Sequence, residues 1–315
     1  MINIKTIYNN KIAVAFLIAI ILFIIGQIIS PGFAEMSHIM NILSLSSFLG
    51  VIALAQTIVI ISGSEGIDLS IGSIISLGAV MASQIMNGDN ADMARAILIV
   101  CIVGAAIGII NGIGISYFRI PPLVMTLAMS SVVQGISLIY TKGQPKGRAS
   151  QILEYIGTGR VAGIPGILIV WVIVIILALI ILTRTPWGNL LYGVGSNSLT
   201  AELSGVRTRV LRTVAYVLSG AISALCGVFL LGYTGTSYLD IGSDYVMPSV
   251  AAVVIGGVSL AGGFGSYMGT VAGAIVLTTL GSILVTLKMG EAGRQIVYGT
   301  VLMALLIVYA RQKKN

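Results

Sequence analysis

Charged side chains are scarce in this sequence. Only 9% of its 315 residues are Asp, Glu, Lys or Arg, whereas soluble globular domains carry about 25%. His38 is the single histidine, so neither a histidine metal cluster nor a histidine-dependent triad can be built. The motifs HExxH, CxxC and GxSxG are absent as well. We therefore expect no catalytic residues, no metal site and no cofactor, and a protein that is not an enzyme.

Cysteine and nucleotide-binding motifs are equally sparse. Cys101 and Cys226 each lie inside an apolar run, where free cysteines usually act as small packing residues. The glycine-rich stretch at 256–265 has a G-x-x-x-x-G-like spacing, but no GK[ST] follows, which excludes a phosphate-binding loop. Any nucleotide hydrolysis or high-affinity solute capture must therefore come from another chain or from a small pocket between helices.

Apolar residues and glycine are abundant instead. Hydrophobic residues make up 57% of the chain, the mean hydropathy is +1.06, and there are 39 glycines. Runs such as WVIVIILALIIL lack the alternation of a membrane strand, and glycine allows helices to pack closely. This composition predicts an all-α polytopic membrane protein with a single domain over residues 1–315. The net charge of +7 comes from basic residues placed mostly in loops, so we expect no nucleic-acid partner.

The apolar runs predict ten transmembrane or re-entrant helices in a lipid bilayer, since a span needs about 20 apolar residues. An even number places both termini on one side. Ten of the 17 basic residues then fall on the side of the termini, including Lys5, Lys313 and Lys314, and this bias favours a cytoplasmic location for both ends. The expected spans are residues 12–30, 45–62, 68–86, 95–117, 121–141, 166–183, 210–232, 246–258, 266–287 and 292–310.

An acidic stretch, SGSEGIDLSIGS, interrupts two apolar runs at residues 62–73. A carboxylate inside hydrocarbon is costly unless it is paired, hydrated or neutralised. One interpretation is structural, with Asp68 or Ser70 capping the next helix. The other places Glu65, Gly66, Asp68 and Ser70 along a water-filled solute path, because irregular backbone at membrane depth must face protein or water.

A second stretch, YGVGSNSLTAELSGVRTRVLR at residues 192–212, is unusually polar. It predicts a short helix over about 196–206 outside the membrane, capped by Ser196, Asn197 or Ser198. Glu202 is expected in its early turns, where the helix dipole favours an anion, and Gly205 is expected to end it in a left-handed conformation. Such a helix suits docking of a partner, and the alternative is an ordinary polar loop.

A third stretch, VVIGGVSLAGGFGSYMGTVAGA, is rich in glycine and predicts a re-entrant turn. It echoes GIDLSIGSIISLGA in the first half, so the chain is expected to contain two weakly repeated halves, as many transporters do. We accordingly assign Gly257, Ser259, Gly262 and Gly263 to the same solute path. The alternative is helix packing alone, through small residues spaced by four.

Together these stretches resemble the permease subunits of bacterial ABC importers for ribose and related monosaccharides. The resemblance covers about residues 40–311 and rests on GIDLSIGS (66–73), YTKG (140–143), SNSLTAELSGV (196–206) and AAVVIGGVSLAGGFGSYMGTVAGA (251–274), in that order. It implies a coupling helix that contacts a cytoplasmic ATP-binding subunit. The residues implied for that contact are Asn197, Ala201, Glu202, Leu203, Ser204 and Gly205.

The resemblance also implies a periplasmic or surface sugar-binding protein, a second permease subunit, and a place in the bacterial cytoplasmic membrane. Glu65 departs from the small residue that is more usual before GIDLS. Related permeases carry nucleosides or branched-chain amino acids, so the solute stays open between these and a monosaccharide. A stand-alone carrier that binds a proton or cation at Asp68 or Glu65, and a purely structural subunit, are the alternatives from other classes.

Overall fold

The computed structural model describes residues 11–63 and 65–312, and these are almost entirely helical. Besides the helices they contain a 3₁₀ turn at Ser243–Tyr245 and one antiparallel hairpin of strands β1 (Arg160–Val161) and β2 (Ile164–Pro165). The α-helices are α1 (Lys11–Ile29), α2 (Met36–Ile61), α3 (Ile71–Met86), α4 (Met93–Ser116), α5 (Pro122–Thr141), α6 (Gln151–Thr158), α7 (Gly166–Arg184), α8 (Pro186–Ser196), α9 (Ser198–Leu203), α10 (Thr208–Thr234), α11 (Val246–Ile255), α12 (Tyr267–Thr286) and α13 (Glu291–Gln312).

The all-α polytopic fold is confirmed, and a helix lies at each of the ten expected spans. Seven of the described helices are long and apolar enough to cross a membrane, namely α1, α2, α4, α5, α7, α10 and α12. The expected span at 68–86 begins later, at Ile71, and the one at 246–258 is only ten residues long. Helices α6 and α8 were not predicted. The basic positions Lys5, Lys313 and Lys314 lie outside the described residues.

Helices α2 and α10 form the centre of the bundle. Helix α10 packs against α2, α3, α4 and α6, while α12 packs against α1, α2 and α11. Of the most apolar 18-residue stretch of each helix, 94% is buried in α2 but only 17% in α1, so α1 lies at the periphery. Close approach of α4 and α10 depends on glycine, since a Cβ on Gly220 would lie 2.1 Å from the Gly104 carbonyl oxygen. Small residues at helix crossings are the usual means of tight packing in membrane bundles.

Two short apolar helices, α3 and α11, each follow an irregular stretch of chain. Residues 62–70, the first interrupted segment, join α2 to α3, and residues 235–245, the second interrupted segment, join α10 to α11. With five spans in each half, both segments fall between the second and third spans of their halves. The expected match between the Gly66 and Gly257 stretches therefore does not hold, because the chain around Gly257 follows the third span of its half.

Candidate functional site

The second interrupted segment descends along α3 into the bundle. The hydroxyls of Ser83 and Ser237 lie 2.7 Å apart, and two turns earlier on α3 the Gly242 N–H donates to Ser76 Oγ at 3.0 Å. Ser76 precedes the end of α3 at Met86 by ten residues, or about 15 Å at 1.5 Å per residue. With the end of α3 at the membrane surface, Gly242 would lie about 15 Å deep, near the middle of a 30 Å hydrocarbon layer.

At this depth the second interrupted segment crosses the first turn of α3. A Cβ on Gly242 would lie 2.2 Å from the Gly72 carbonyl oxygen, and a Cβ on Gly72 would lie 2.9 Å from the Gly242 carbonyl oxygen. Only two glycines allow this contact. Non-helical backbone is tolerated at membrane depth where protein or a water-filled cavity surrounds it, and broken helices of this kind mark solute sites in transporters.

Polar side chains gather beside the crossing. A cavity of about 90 Å³ is lined by Ser73 and Ser76 of α3, Ser130 and Gln134 of α5, and Asp240 and Ser243 of the second interrupted segment. Asp240 and Gln134 are exposed in the protomer. A carboxylate on a lipid-facing surface at this depth is strongly unfavourable, so this face must be covered by protein or water.

Asp68 lies in a buried hydrogen-bond cluster instead. Its Oδ1 accepts from the backbone N–H and the hydroxyl of Ser70, and its Oδ2 accepts from Ser219 Oγ of α10 at 2.8 Å. The Asn111 amide of α4 donates to Ser70 Oγ at 2.9 Å. In the orientation that satisfies both amide atoms, Gln56 of α2 pairs with the backbone N–H and carbonyl of Asp68. The cluster fixes the first interrupted segment to α2, α4 and α10.

The expected exposure of Asp68 to a wet path is not found in the described protomer, because the residue is fully buried. Its expected capping role is also corrected. Ser70 holds the cap position of α3 without a side-chain cap bond, and its hydroxyl is engaged by Asp68 and Asn111. Glu65 is exposed and adopts a left-handed conformation with φ of 54°, in a turn closed by the Gly66 N–H on Gly63.

Four glycines bring three parts of the chain together in what we call the glycine junction: Gly63, Gly195, Gly262 and Gly263. A Cβ on Gly195 would lie 1.8 Å from the Ile61 carbonyl oxygen, and a Cβ on Gly262 would lie 2.4 Å from the Gly63 Cα. The Gly263 N–H donates to the same Ile61 carbonyl at 3.0 Å. The ends of α2, α8 and the 256–266 loop therefore meet backbone to backbone.

Two side chains support the glycine junction. Tyr192 of α8 donates from its hydroxyl to the Gly265 carbonyl at 3.0 Å, and Arg212 of α10 donates from Nε to the Ser62 carbonyl at 3.3 Å. Gly257 and Ser259 belong to the same 256–266 loop, in which the Ser259 N–H bonds to the Phe264 carbonyl. Gly257, Ser259, Gly262 and Gly263 thus lie beside the start of the predicted coupling helix. Their assignment to a solute path remains a prediction.

The predicted coupling stretch forms α9, which is separate from α8. Asn197 is its N-cap, with Oδ1 accepting from the Thr200 N–H at 3.0 Å. At the other end, Gly205 has a φ of 84°, its N–H bonds to the Glu202 carbonyl, and the Val206 N–H bonds to the Ala201 carbonyl. This pair of bonds is the Schellman termination. Glu202 was expected in the early turns, but it is the fifth of six residues and lies at the end of the helix.

One face of α9 presents two exposed leucines, while other exposed positions of the helix are polar. Leu199 and Leu203, four residues apart and therefore on one face, are 69% and 82% exposed. Ala201 faces inward and packs against the core, whereas Glu202, Ser204 and Gly205 are exposed. An exposed pair of leucines on a doubly capped helix of six residues is a surface suited to a protein partner.

Sequence reasoning missed the second interrupted segment and the part of α8 at Gly195. A signal for the second interrupted segment was present, since Asp240 and Asp244, four positions apart, follow a long apolar run, as Glu65 and Asp68, three positions apart, follow α2. No comparable signal marked Gly195. Its role depends on which backbone atoms approach it, and that is decided by the tertiary contacts of Ile61 and Gly263.

Comparison with known proteins gives one family and a set of relatives. Residues 38–309 match the model of the family described as branched-chain amino acid transport system / permease component. The chain is 35% identical to the ribose import permease protein RbsC of Bacillus subtilis over 95% of its length and 92% of that protein. It is 31% identical to RbsC of Escherichia coli K12 over 95% and 92%. It is 29% identical to the autoinducer 2 import system permease protein LsrC of Escherichia coli K12 over 98% and 89%. No solved structure matches the chain.

Proposed function

Since the chain belongs to the branched-chain amino acid transport system / permease component family, we propose that it is the transmembrane permease subunit of an ATP-driven importer in the bacterial cytoplasmic membrane. Its solute is a small neutral molecule of the monosaccharide type. Relatives that match over nearly the whole length are named for ribose import and, in one case, for autoinducer 2 import. The chain acts as a single permease domain with both termini in the cytoplasm, and it carries out no covalent chemistry.

The observation that supports this proposal best is the exposed apolar face of α9. Leu199 and Leu203 project from a helix that lies outside the apolar spans and is held at both ends by Asn197 and Gly205. The energy for import must come from another chain, because this sequence has no nucleotide-binding motif. We assign α9 as the contact with a cytoplasmic ATP-binding subunit.

The glycine junction connects α9, through α8, to the end of α2 and to the 256–266 loop. Helix α8 precedes α9 by a single residue, and Gly195 near its end touches both the end of α2 and the 256–266 loop. Movement of α9 with the ATP-binding subunit is therefore passed to the helices that border both interrupted segments. Close-packed contacts of this kind have discrete arrangements and do not deform gradually, which suits alternating exposure of a path.

The solute path lies where the second interrupted segment crosses the first turn of α3. Exposed polar groups such as Asp240 and Gln134 cannot face lipid there, so a second permease subunit covers this face and shares the path. A periplasmic or surface sugar-binding protein delivers the solute. In this arrangement Asp68 holds the first interrupted segment in place from within the protomer.

Substitution of Leu203 tests the proposal. In the purified importer, Leu203→Ser should weaken recovery of the ATP-binding subunit with a tagged permease and lower ATP-driven uptake by about tenfold or more, as expected for loss of about 1.5 to 3 kcal/mol of buried leucine. Leu203→Met keeps the apolar contact and serves as the matched control. Deletion of residues 196–206 should abolish uptake while leaving membrane insertion intact, and normal uptake after that deletion would rule out the assignment.

A cation-coupled carrier is the alternative from another class. It needs Asp68 or Glu65 to bind a proton or cation along the path. Asp68 is buried and bonded to two serines, and Glu65 lies in an exposed turn next to the glycine junction. An uncoupler separates the two cases, because it stops cation-driven uptake and leaves ATP-driven uptake unchanged.

A further inference from the structure

A second and larger cavity lies on the opposite side of the second interrupted segment. We call it the tyrosine cavity, and we propose that it is a binding site for a neutral polyhydroxylated solute within each protomer. This inference rests on the proposed function and deepens it, because it names the residues that contact the solute. The polar residues that carry the argument are Tyr238, Asp244, Tyr245, Glu291, Arg294 and Tyr298.

The dimensions of the tyrosine cavity suit a small molecule. It measures about 400 Å³, opens to the surface of the protomer, and is lined by residues of α2, the second interrupted segment, α11, α12 and α13. Ligand sites in proteins typically occupy about 300 to 1,000 Å³ and combine apolar walls with a few convergent polar groups. Leu45, Leu49, Leu277 and Val285 provide such apolar walls.

Several polar groups in the tyrosine cavity have no partner of their own. Among the residues that the structure describes, none hydrogen-bonds to the Asp244 carboxylate or to the hydroxyls of Tyr238, Tyr245 and Tyr298. Asp244 follows Gly242 by two residues and so lies close to the crossing with α3. Asp244 and Tyr238 are exposed in the protomer, and Tyr245 and Tyr298 are partly buried. A carboxylate facing lipid at the depth of the crossing would be costly, so we expect these groups to face water or solute.

Two neighbouring contacts hold the aromatic wall in place. The Tyr298 hydroxyl fits against Gly281 of α12 so closely that a Cβ there would lie 2.3 Å from it. Arg294 forms an ion pair with Glu291 one turn away on α13. The Tyr298 hydroxyl of α13 thus lies close against α12 at Gly281, and the charges of Arg294 and Glu291 on α13 balance each other.

The charged residues of the tyrosine cavity determine which solute charge it can accept. With Arg294 paired to Glu291, Asp244 leaves one net negative charge in the tyrosine cavity, which disfavours an anionic solute. Carboxylate oxygens and tyrosine hydroxyls accept hydrogen bonds from solute hydroxyls, while tyrosine ring faces cover the apolar C–H surface of a sugar. A neutral sugar uses both features, whereas a simple cation uses only the carboxylate.

Thiol labelling in the complete importer tests this inference. Val285→Cys places a reporter at the rim of the tyrosine cavity, and Thr278→Cys places a second one in its α12 wall. Both are made with Cys101→Ser, since Cys226 is buried. Leu287→Cys, exposed two residues beyond Val285 and outside the lining, is the matched control. Labelling by a hydrophilic thiol reagent is timed with D-ribose, D-xylose, D-galactose, a sugar phosphate or choline.

We expect at least one neutral sugar to slow labelling at both cavity reporters and to leave Leu287→Cys unchanged. A site with a Kd of about 10 mM gives roughly sixfold slowing at about 50 mM sugar. Asp244→Asn should remove this protection, and Asp240→Asn, on the other side of the segment, should keep it. The inference is overturned if no neutral sugar protects either reporter, if neither reporter is labelled, or if choline alone protects.

The outcome is distinguishable from failure of the proposed function. ATP-driven uptake by the same importer, measured with and without Leu203→Ser, reports on the proposed function without reference to the tyrosine cavity. If the importer responds to Leu203→Ser as expected but sugar gives no protection, only the assignment of the tyrosine cavity as a solute site is rejected, and the proposed function stands.

Discussion

The glycine junction makes a sharp prediction for Gly195→Ala. The added Cβ would lie 1.8 Å from the Ile61 carbonyl oxygen and 2.6 Å from the Gly263 backbone nitrogen, where an ordinary van der Waals contact begins at 3.4 Å. The end of α8 must therefore move by about 1.6 Å, or α2 and the 256–266 loop must yield. Overpacking of this kind costs about 1 to 3 kcal/mol.

This overpacking cost destabilises the conformation in which Gly195 touches Ile61 and Gly263. It therefore favours conformations in which the end of α8, and with it α9, sits differently against the bundle. A cost of about 2 kcal/mol shifts a conformational equilibrium by about 30-fold, so we expect ATP-driven uptake to fall by about tenfold or more. The exposed face of α9 is untouched, so the ATP-binding subunit should still copurify. The assay is uptake and ATP hydrolysis by the importer in proteoliposomes, with protein amounts matched.

Gly193→Ala is the control, because it lies two residues earlier in α8 and a Cβ there meets no atom within 4 Å. It removes a glycine from the same helix without crowding the glycine junction. Equal uptake by the two variants, with both proteins equally abundant, would refute the idea that this contact transmits movement of α9.

Three further predictions follow from local contacts. Asn197→Ala removes the cap bond to the Thr200 N–H, which costs about 1 kcal/mol of helix stability in α9. Because α9 is the proposed contact with the ATP-binding subunit, permease-stimulated ATP hydrolysis should fall. The melting temperature of the permease should change by no more than a few degrees. Ser219→Ala leaves Asp68 with one fewer hydroxyl donor in a buried site, so it should destabilise the bundle by about 1 to 3 kcal/mol in thermal unfolding. Asp68→Leu should cost more, because it removes the acceptor of both the Ser70 and the Ser219 hydroxyls. Tyr298→Phe should restore stability lost in Gly281→Ala, because it removes the hydroxyl that the new Cβ would meet, and a lack of rescue would contradict the close contact.

The fold was largely predictable because its signal is local. Each apolar run is long enough to identify a span from composition alone, and a helix lies at all ten expected positions. Helices α6 and α8 were not predicted, because they are short and mix apolar with polar residues, so neither contains an apolar run long enough to identify a span. The resemblance to ABC importer permeases is confirmed by the family match over residues 38–309.

The candidate site was less predictable because its residues act through distant contacts. The caps at Asn197 and Gly205 are local and were expected, as was an interruption between apolar runs at residues 62–73. Burial of Asp68 depends on Ser219, 151 residues away, and no local pattern shows that pairing. Asp240 and Asp244 were the only sequence signal for the second interrupted segment, and its contact with Ser76 is what shows that it packs inside the bundle.

The energy source of transport distinguishes an ATP-driven importer from a cation-coupled carrier. Purified permease, ATP-binding subunit and sugar-binding protein are reconstituted in proteoliposomes, and sugar uptake is followed with ATP, without ATP, and with ATP plus an uncoupler. An ATP-driven importer should show uptake that requires ATP and persists with the uncoupler. Uptake by the permease alone that an uncoupler abolishes would contradict it.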